Sequence, residues 1–171
     1  MKATATVKRV RVSSVATEKL IERCNKTVLA DCTTRWNSVY MMISRLVEVK
    51  MPLNEVLQQI KCDSLTFTEW GRLTELCKLL QPFKGQTDLL QTDILSLSCV
   101  IPSHLELTLH LQDPTLTKSL ALPLLQSLRQ RFSIFLDPSC DSFDPVAATA
   151  CLFCTVFRSA PQHLSAVLLL T

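Results

Sequence analysis

Apolar residues return every three or four positions along most of this 171-residue chain, the spacing that is typical of amphipathic helices. The clearest start signal is Thr66 followed three residues later by Glu69, a capping box just before the apolar positions Trp70 and Leu73. Helices are predicted over 15–28, 34–50 and 53–60, from 66 to a break or bend at Pro82 and Gly85, and over 95–111, 115–135 and 143–157. Because short loops join them, the predicted fold class is all-α, a helical array or bundle.

Two stretches fit this pattern less simply. Residues 1–12 look like a frayed basic segment, in which Val7, Val10 and Val12 leave open a short N-terminal strand of a larger parent fold. Residues 95–111 are apolar around much of the helix, so this helix needs neighbours on several sides, either in a thick array or in a larger protein. The predicted organisation is an N-terminal arm over 1–13, a helical domain over 14–158 and a C-terminal tail over 159–171.

The composition excludes several classes of fold. The chain has two glycines, too few for the turns of a many-stranded sandwich or for a glycine-rich phosphate loop. It is 47% hydrophobic and 19% charged, which is not the composition of a disordered segment. Its longest apolar run, Val146 to Phe157, is shorter than the roughly 20 residues that cross a membrane, so no membrane association is predicted.

Positive charge is concentrated at the front of the chain. The first fifty residues carry a net charge of +6 and the remainder carries −3. A basic segment favours a polyanionic partner, such as nucleic acid, because it neutralises phosphates. A solvated helix face would show the same pattern, and both interpretations stay open.

Cysteine usage and the absence of a secretory signal indicate a reducing compartment. The eight cysteines are scattered, and no apolar signal region precedes them, so we expect free thiols and a nuclear location, with the cytosol as the alternative. Cys151 and Cys154 have the spacing of half a zinc site, but no second ligand pair matches them, and they are predicted to be core thiols. No metal or other cofactor, no catalytic signature and no small-molecule substrate are predicted.

Arg35 and Trp36 are the best candidates for binding chemistry. They fall in the first turn of a predicted helix, directly after a loop, within the basic half of the chain. Unpaired N–H groups at a helix N-terminus attract phosphate, and an indole can stack on an unpaired base for roughly 1–3 kcal/mol. Alternatively, Trp36 begins an apolar stripe that continues through Tyr40, Ile43 and Val47.

A resemblance to a known family bears on this choice. The block Thr34-Arg35-Trp36-Asn37-Ser38, followed by Tyr40, resembles the most recognisable block of the hAT superfamily of DNA transposases and of the BED zinc-finger proteins descended from them. Weaker matches stand in the expected order at 16–20, Trp70, 79–84, 96–98, 100–102 and 143–146, so that the resemblance covers about residues 14–150. After residue 150 the sequence departs from the family pattern.

The resemblance implies a helical insertion that interrupts a ribonuclease H-like catalytic domain. In the family, two catalytic aspartates precede the Arg-Trp block and a glutamate follows the insertion, so this chain is expected to lack the complete acidic triad. Arg35 and Trp36 match the family pair associated with DNA at the transposon end, where the tryptophan stacks near a flipped base. The BED finger and the C-terminal dimerisation segment of the family are not expected in this chain.

Three hypotheses follow from the sequence. The first is a truncated or domesticated hAT transposase-derived protein that binds DNA or a protein partner without catalysis, with Arg35 and Trp36 as its DNA-binding residues. The second is a non-functional relic, or a partial gene model of a larger BED-type protein. The third is a transposase subunit that is completed by carboxylates from another chain, which is disfavoured because two metal ions require closely spaced ligands on one core.

Overall fold

The computed structural model describes residues 2–32, 36–91 and 96–154, with the backbone alone for Trp36 and Ser96. Within these residues the structure is helical and contains no strand, which confirms the all-α prediction. The helices are α1 (Lys2–Val12), α2 (Ser14–Cys24), α3 (Trp36–Glu48), α4 (Lys50–Gln59), α5 (Phe67–Leu90), α6 (Ser96–Leu111), α7 (Lys118–Leu136) and α8 (Val146–Phe153). The chain divides into two compact units, residues 1–81 (unit 1) and 82–171 (unit 2).

The short N-terminal strand left open by the sequence is not found, because residues 2–12 form α1. Val10 and Val12 would share one face of a strand, yet Val10 is fully buried and Val12 is 88% exposed. The buried positions are instead Ala3, Val7 and Val10, which repeat with helical spacing. The basic segment is therefore a packed helix of unit 1 and not a frayed one.

Helix α2 begins and ends with recognisable caps. Ser13 is the N-cap of this helix, and its hydroxyl accepts a hydrogen bond from the N–H of Ala16 at 3.2 Å. Asn25 adopts the left-handed conformation, with φ at 52°, and its N–H donates to the carbonyl of Ile21 at 2.7 Å. Since asparagine tolerates this conformation better than most residues, α2 stops at Cys24 and not at the predicted Val28.

The core of unit 1 is formed by all five of its helices and by Val28 of the loop after α2. Its largest fully buried side chains come from α1–α4 and the α3–α4 junction: Val7, Val10, Leu20, Met42, Ile43, Leu46, Val49, Leu53, Val56 and Leu57. Leu65, Trp70 and Leu73, at or near the start of α5, complete it. Pro52 lies in the first turn of α4, where its missing N–H has no intrahelical partner in any case.

The capping box at the start of α5 is confirmed. The N–H of Glu69 donates to Oγ1 of Thr66 at 3.2 Å, and the N–H of Thr66 donates to Oε2 of Glu69 at 2.7 Å. Of the predicted break or bend at Pro82 and Gly85, the break is wrong, because α5 continues to Leu90 with Pro82 inside it. Both α6 and α7 also contain an internal proline.

Unit 2 is built around α6, which contacts both α7 and α8. Its buried apolar residues on these helices are Cys99, Ile101, Leu107, Leu111, Ala121, Leu125, Leu128, Ala147 and Cys151. The polar loop between α7 and α8 is closed locally by Asp137 and Asp144, each of which accepts a hydrogen bond from the N–H two residues later. The tail over 159–171 lies outside the described residues, and the domain boundaries at 13 and 158 remain predictions.

None of the described helices has the length and apolar character of a membrane span. All eight cysteines are free thiols. Burial raises the pKa of the Cys151 thiol, which packs inside unit 2. In the part of the chain that the structure describes, no three His, Cys, Asp or Glu side chains are placed to hold a metal ion.

Candidate nucleic-acid interface

The two predicted DNA-binding residues stand at the beginning of α3. Trp36 is the first residue of that helix, and its side chain lies outside what the structure describes. Arg35 and Thr34 fall in the segment 33–35, which is outside the described residues. Helix α3 lies within the predicted range 34–50, and the roles of Arg35 and Trp36 remain predictions.

The loop that leads to this point is fixed against α3 at two places. The Ser38 hydroxyl accepts a hydrogen bond from the N–H of Cys32 at 2.7 Å and donates one to the Cys32 carbonyl at 2.8 Å. Two turns further along α3, Nη1 of Arg45 donates to the carbonyl of Thr27 at 3.0 Å. Residues 27–32 therefore run along α3 and are fixed to it at both ends.

Ion pairs reinforce the end of the loop that is nearer α2. Glu48 pairs with Lys26, and its Oε2 lies 2.9 Å from Nε of Arg45. The hydrogen bond from Lys26 is the main reason that the pKa of Glu48 lies below its usual value, followed by the nearby charges of Lys26 and Arg45. Lys26 and Arg45 thus belong to the scaffold of the loop, although both count toward the basic front of the sequence.

Burial adds a third attachment for the loop. Val28 is 4% exposed and packs in the core of unit 1, between the hydrogen-bonded ends of the segment. Fixed loops of this kind have few conformations to lose when they bind a ligand. The segment 27–32 is therefore pre-organised.

The sequence interpretation missed Ser38 and Arg45 as positioning residues. Ser38 is the third residue of α3, the position from which a side chain can reach back to the chain before the helix, as Glu69 does in α5. That spacing could have identified Ser38 as a positioning residue from the sequence. Arg45 carried no such signal, because its partner Thr27 is eighteen residues away and is brought close only by the fold.

The apolar stripe of α3 is present as predicted beyond its first turn. Ile43 is fully buried, Tyr40 and Val47 are half-buried, and Met42 and Leu46 on the neighbouring stripe are buried. In the block itself, Oδ1 of Asn37 is buried without a hydrogen-bond partner among the described residues. The stripe is compatible with both interpretations of Trp36, which stay open at this point.

Comparison with known proteins identifies the region around this site. Residues 2–79 match the model of the ZBED1 RNase-like helical domain, and this range coincides closely with unit 1. The chain is also 29% identical over 103 residues to the human zinc finger BED domain-containing protein 4, in an alignment that covers 55% of this chain and 9% of that protein. The chain thus spans a small fraction of the length of this relative.

No solved structure matches the chain. Both findings agree with the resemblance drawn from the Arg-Trp block, and the all-helical fold agrees with the type of domain matched. Residues 2–79 are therefore similar to an RNase-like helical domain of the ZBED type, and this similarity supports a hAT-derived, BED-type helical region.

Proposed function

We propose that the chain is a truncated or domesticated hAT transposase-derived protein that binds DNA through the start of α3 and carries out no catalysis. The observation that carries the proposal is the loop over 27–32, which Ser38, Arg45 and Val28 hold in place ahead of Trp36, the first residue of α3. The similarity of residues 2–79 to a BED-type helical domain supports it.

Each element of the block has a definite role in this proposal. The unpaired N–H groups at the start of α3 attract a phosphate, and the guanidinium of Arg35 pairs with the same or an adjacent phosphate. The indole of Trp36 stacks on an unpaired base, an interaction that is worth roughly 1–3 kcal/mol and is tolerant of sequence. The proposed ligand is therefore DNA with at least one exposed base, for example at the end of a hairpin.

The proposed absence of catalysis rests on the family resemblance, in which the catalytic carboxylates belong to parts of the protein outside the helical insertion. A sensitive test is incubation of the purified chain with supercoiled plasmid and Mg²⁺ or Mn²⁺. We expect no nicked product. Nicking that depends on the metal and copurifies with the chain would contradict this part of the proposal.

A nuclear location is proposed with the DNA-binding role, and the relationship to a human protein named for its zinc finger BED domain supports it. Imaging of the tagged full chain in cells tests the location. Nuclear signal is expected. A signal confined to the cytosol would separate this chain from chromosomal DNA and would contradict the proposal.

A gel-shift titration with a DNA hairpin that has unpaired bases at its tip tests binding directly. Trp36→Ala and Arg35→Ala are each expected to weaken the affinity, the first by about 5- to 150-fold, since roughly 1–3 kcal/mol of stacking is removed. Matched controls are Phe67→Ala and Arg72→Ala, which change exposed residues of α5 in the same unit. An affinity that neither Trp36→Ala nor Arg35→Ala changes would refute the proposed interface.

The alternative of a relic or partial gene product makes a different prediction. Unit 2 exposes large apolar side chains, among them Phe153 at 78% and Leu109 at 69%. Such surface favours aggregation when nothing covers it. A helical and monodisperse product in circular dichroism and size-exclusion chromatography favours the binding proposal, whereas an aggregated product favours the relic.

A further inference from the structure

Helix α1 carries three cationic side chains that form no ion pair among the described residues. Its sequence contains Lys2, Lys8, Arg9 and Arg11 and no acidic residue. Lys2 is paired with Glu69, with Nζ 3.2 Å from Oε2. Lys8, Arg9 and Arg11 are exposed and take part in none of the ion pairs found among the described residues.

The backbone that carries these three cations is held in place from the opposite side. Ala3, Val7 and Val10 of α1 are each at most 3% exposed and belong to the core of unit 1. The next residue after the helix, Ser13, caps α2, so the C-terminal end of α1 is fixed as well. The cations are therefore presented from a rigid support, which reduces the entropy lost on binding.

Part of this cationic face opens into a groove of about 530 Å³ between α1 and the loop before α3. The groove is lined by Val7, Lys8, Arg11, Val12, Ala30 and Asp31. Ala30 and Asp31 belong to the segment that runs along α3 and leads into the Arg-Trp block. The groove thus places Lys8 and Arg11, which form no ion pair among the described residues, beside the segment 27–32 that precedes the proposed DNA-binding site.

We infer that the exposed face of α1 binds the sugar–phosphate backbone of double-stranded DNA, next to the unpaired base engaged at the start of α3. This inference rests on the proposed function. Lys8 and Arg11 are separated by about 4.5 Å along the helix axis, and their long side chains can reach neighbouring phosphates. Duplex DNA carries one charge per roughly 1.7 Å of its axis, so it is the polyanion that matches a fixed, dense group of cations.

Asp31 provides a built-in test of this assignment. It is the one carboxylate among the residues that line the groove, and it would face the same phosphates as Lys8 and Arg11. Its negative charge should therefore weaken binding. Asp31→Asn keeps the shape of the side chain and removes the charge, so it is expected to raise the affinity for duplex DNA.

The experiment measures the affinity of the full chain for a hairpin with a duplex stem at several salt concentrations. In Lys8→Gln/Arg11→Gln, two phosphate contacts are lost, and the slope of log affinity against log salt should become shallower by about 1.8. The matched control is Lys118→Gln/Arg131→Gln, which removes one exposed lysine and one exposed arginine from α7. The control is expected to leave the slope unchanged.

The outcomes separate this inference from the proposed function. Binding that is lost in Trp36→Ala but keeps its full salt slope in Lys8→Gln/Arg11→Gln would overturn the inference and leave the proposed function intact. An equal reduction of the slope in the control variant would also overturn it, because the effect would then follow net charge alone. Failure of the wild-type chain to bind the hairpin, with binding to phosphatidylserine vesicles instead, would overturn both.

Discussion

His104 is a buried histidine whose polar atoms lack partners. It is 7% exposed, and neither ring nitrogen has a hydrogen-bond partner among the described residues. Its ring lies 5.5 Å from the ring of Phe132 at an interplanar angle of 47°. Burial lowers the pKa of His104 from the ordinary value of 6.5, and the nearby charge of Arg129 lowers it further.

A lowered pKa at His104 makes the stability of unit 2 depend on pH. Above about pH 6.5 the imidazole is neutral in the folded and in the unfolded chain, so its contribution to the free energy of unfolding does not change with pH. As the pH falls below that value, the unfolded chain takes up the proton and the folded chain does not. The free energy of unfolding is therefore expected to fall by at most about 1.4 kcal/mol per pH unit, an effect visible as a lower melting temperature.

His104→Phe tests this cause, because phenylalanine keeps a ring against Phe132 and cannot take up a proton. The variant is expected to lose the fall in melting temperature between about pH 7 and about pH 5. His110→Gln serves as the control on the same helix and should keep it. The carboxylates of Asp113 and Asp137, whose pKa values lie below 3.8, contribute only at more acidic pH. If the melting temperature of His104→Phe still falls over this pH range, another group causes the fall.

At the residue scale, the sequence identified side chains whose role is local. Thr66 and Glu69 act on each other across three residues, and Asp137 acts on Ser139 two residues away, so both roles could be predicted. The contacts of Arg45 with Thr27 and of Glu48 with Lys26 could not be assigned, because these partners are about twenty residues away, whereas the Arg45–Glu48 pair is local. Arg35 and the side chain of Trp36 are outside the described residues, and their roles stay predictions.

At the scale of a helix, the start of α5 is likewise stabilised by residues that are close in the sequence. Thr66→Ala removes the side-chain oxygen that accepts the N–H of Glu69 and leaves that donor without its cap. We expect the variant to lower the free energy of unfolding of unit 1 by about 1 kcal/mol. Chemical denaturation followed by circular dichroism measures this loss.

Thr68→Ala is the control for the capping box, since Thr68 is exposed and lies in the same first turn. It should change stability by less than about 0.5 kcal/mol. The N–H of Thr66 is also the main reason that the pKa of Glu69 lies below its usual value. Equal losses in the two variants would mean that helix propensity, and not the cap, sets the stability of this helix.

Two alternatives that the sequence left open, a strand near the N-terminus and a break at Pro82, are not found among the described residues. The valines of the segment 2–12 favour a strand, but the burial of Ala3, Val7 and Val10 on one face requires a helix. The proline at position 82 removes one hydrogen-bond donor from α5, and the helix nevertheless continues to Leu90. The sequence pattern predicted the other helices to within a few residues, because their apolar periodicity is continuous.

For the molecule as a whole, the sequence predicted the helical class and the similarity to BED-type proteins, and it did not predict the division into two units. The family match ends at residue 79, two residues before the boundary at residue 81. That boundary lies inside α5, directly before Pro82, where the sequence predicted a break or bend of the helix but shows no loop or glycine-rich linker between two domains. Long-range packing sets the boundary, so periodicity within the helix could not reveal it.

The proposed DNA-binding site lies in unit 1, and the tryptophans of the chain offer a direct probe of it. The chain contains two tryptophans, Trp36 and Trp70. Trp70 is 2% exposed, and its Nε1 has no hydrogen-bond partner among the described residues, so phenylalanine can replace it without the loss of such a bond. In Trp70→Phe, Trp36 is then the single source of tryptophan fluorescence.

The most direct measurement is a titration of Trp70→Phe with the DNA hairpin, followed by fluorescence and, in parallel, by gel shift. If the indole of Trp36 stacks on a base, its emission is quenched in proportion to the fraction of protein bound. A hairpin whose unpaired bases are replaced by abasic sites should bind more weakly and leave the emission nearly unchanged. DNA binding that saturates in the gel shift while the Trp36 emission stays constant would contradict the account.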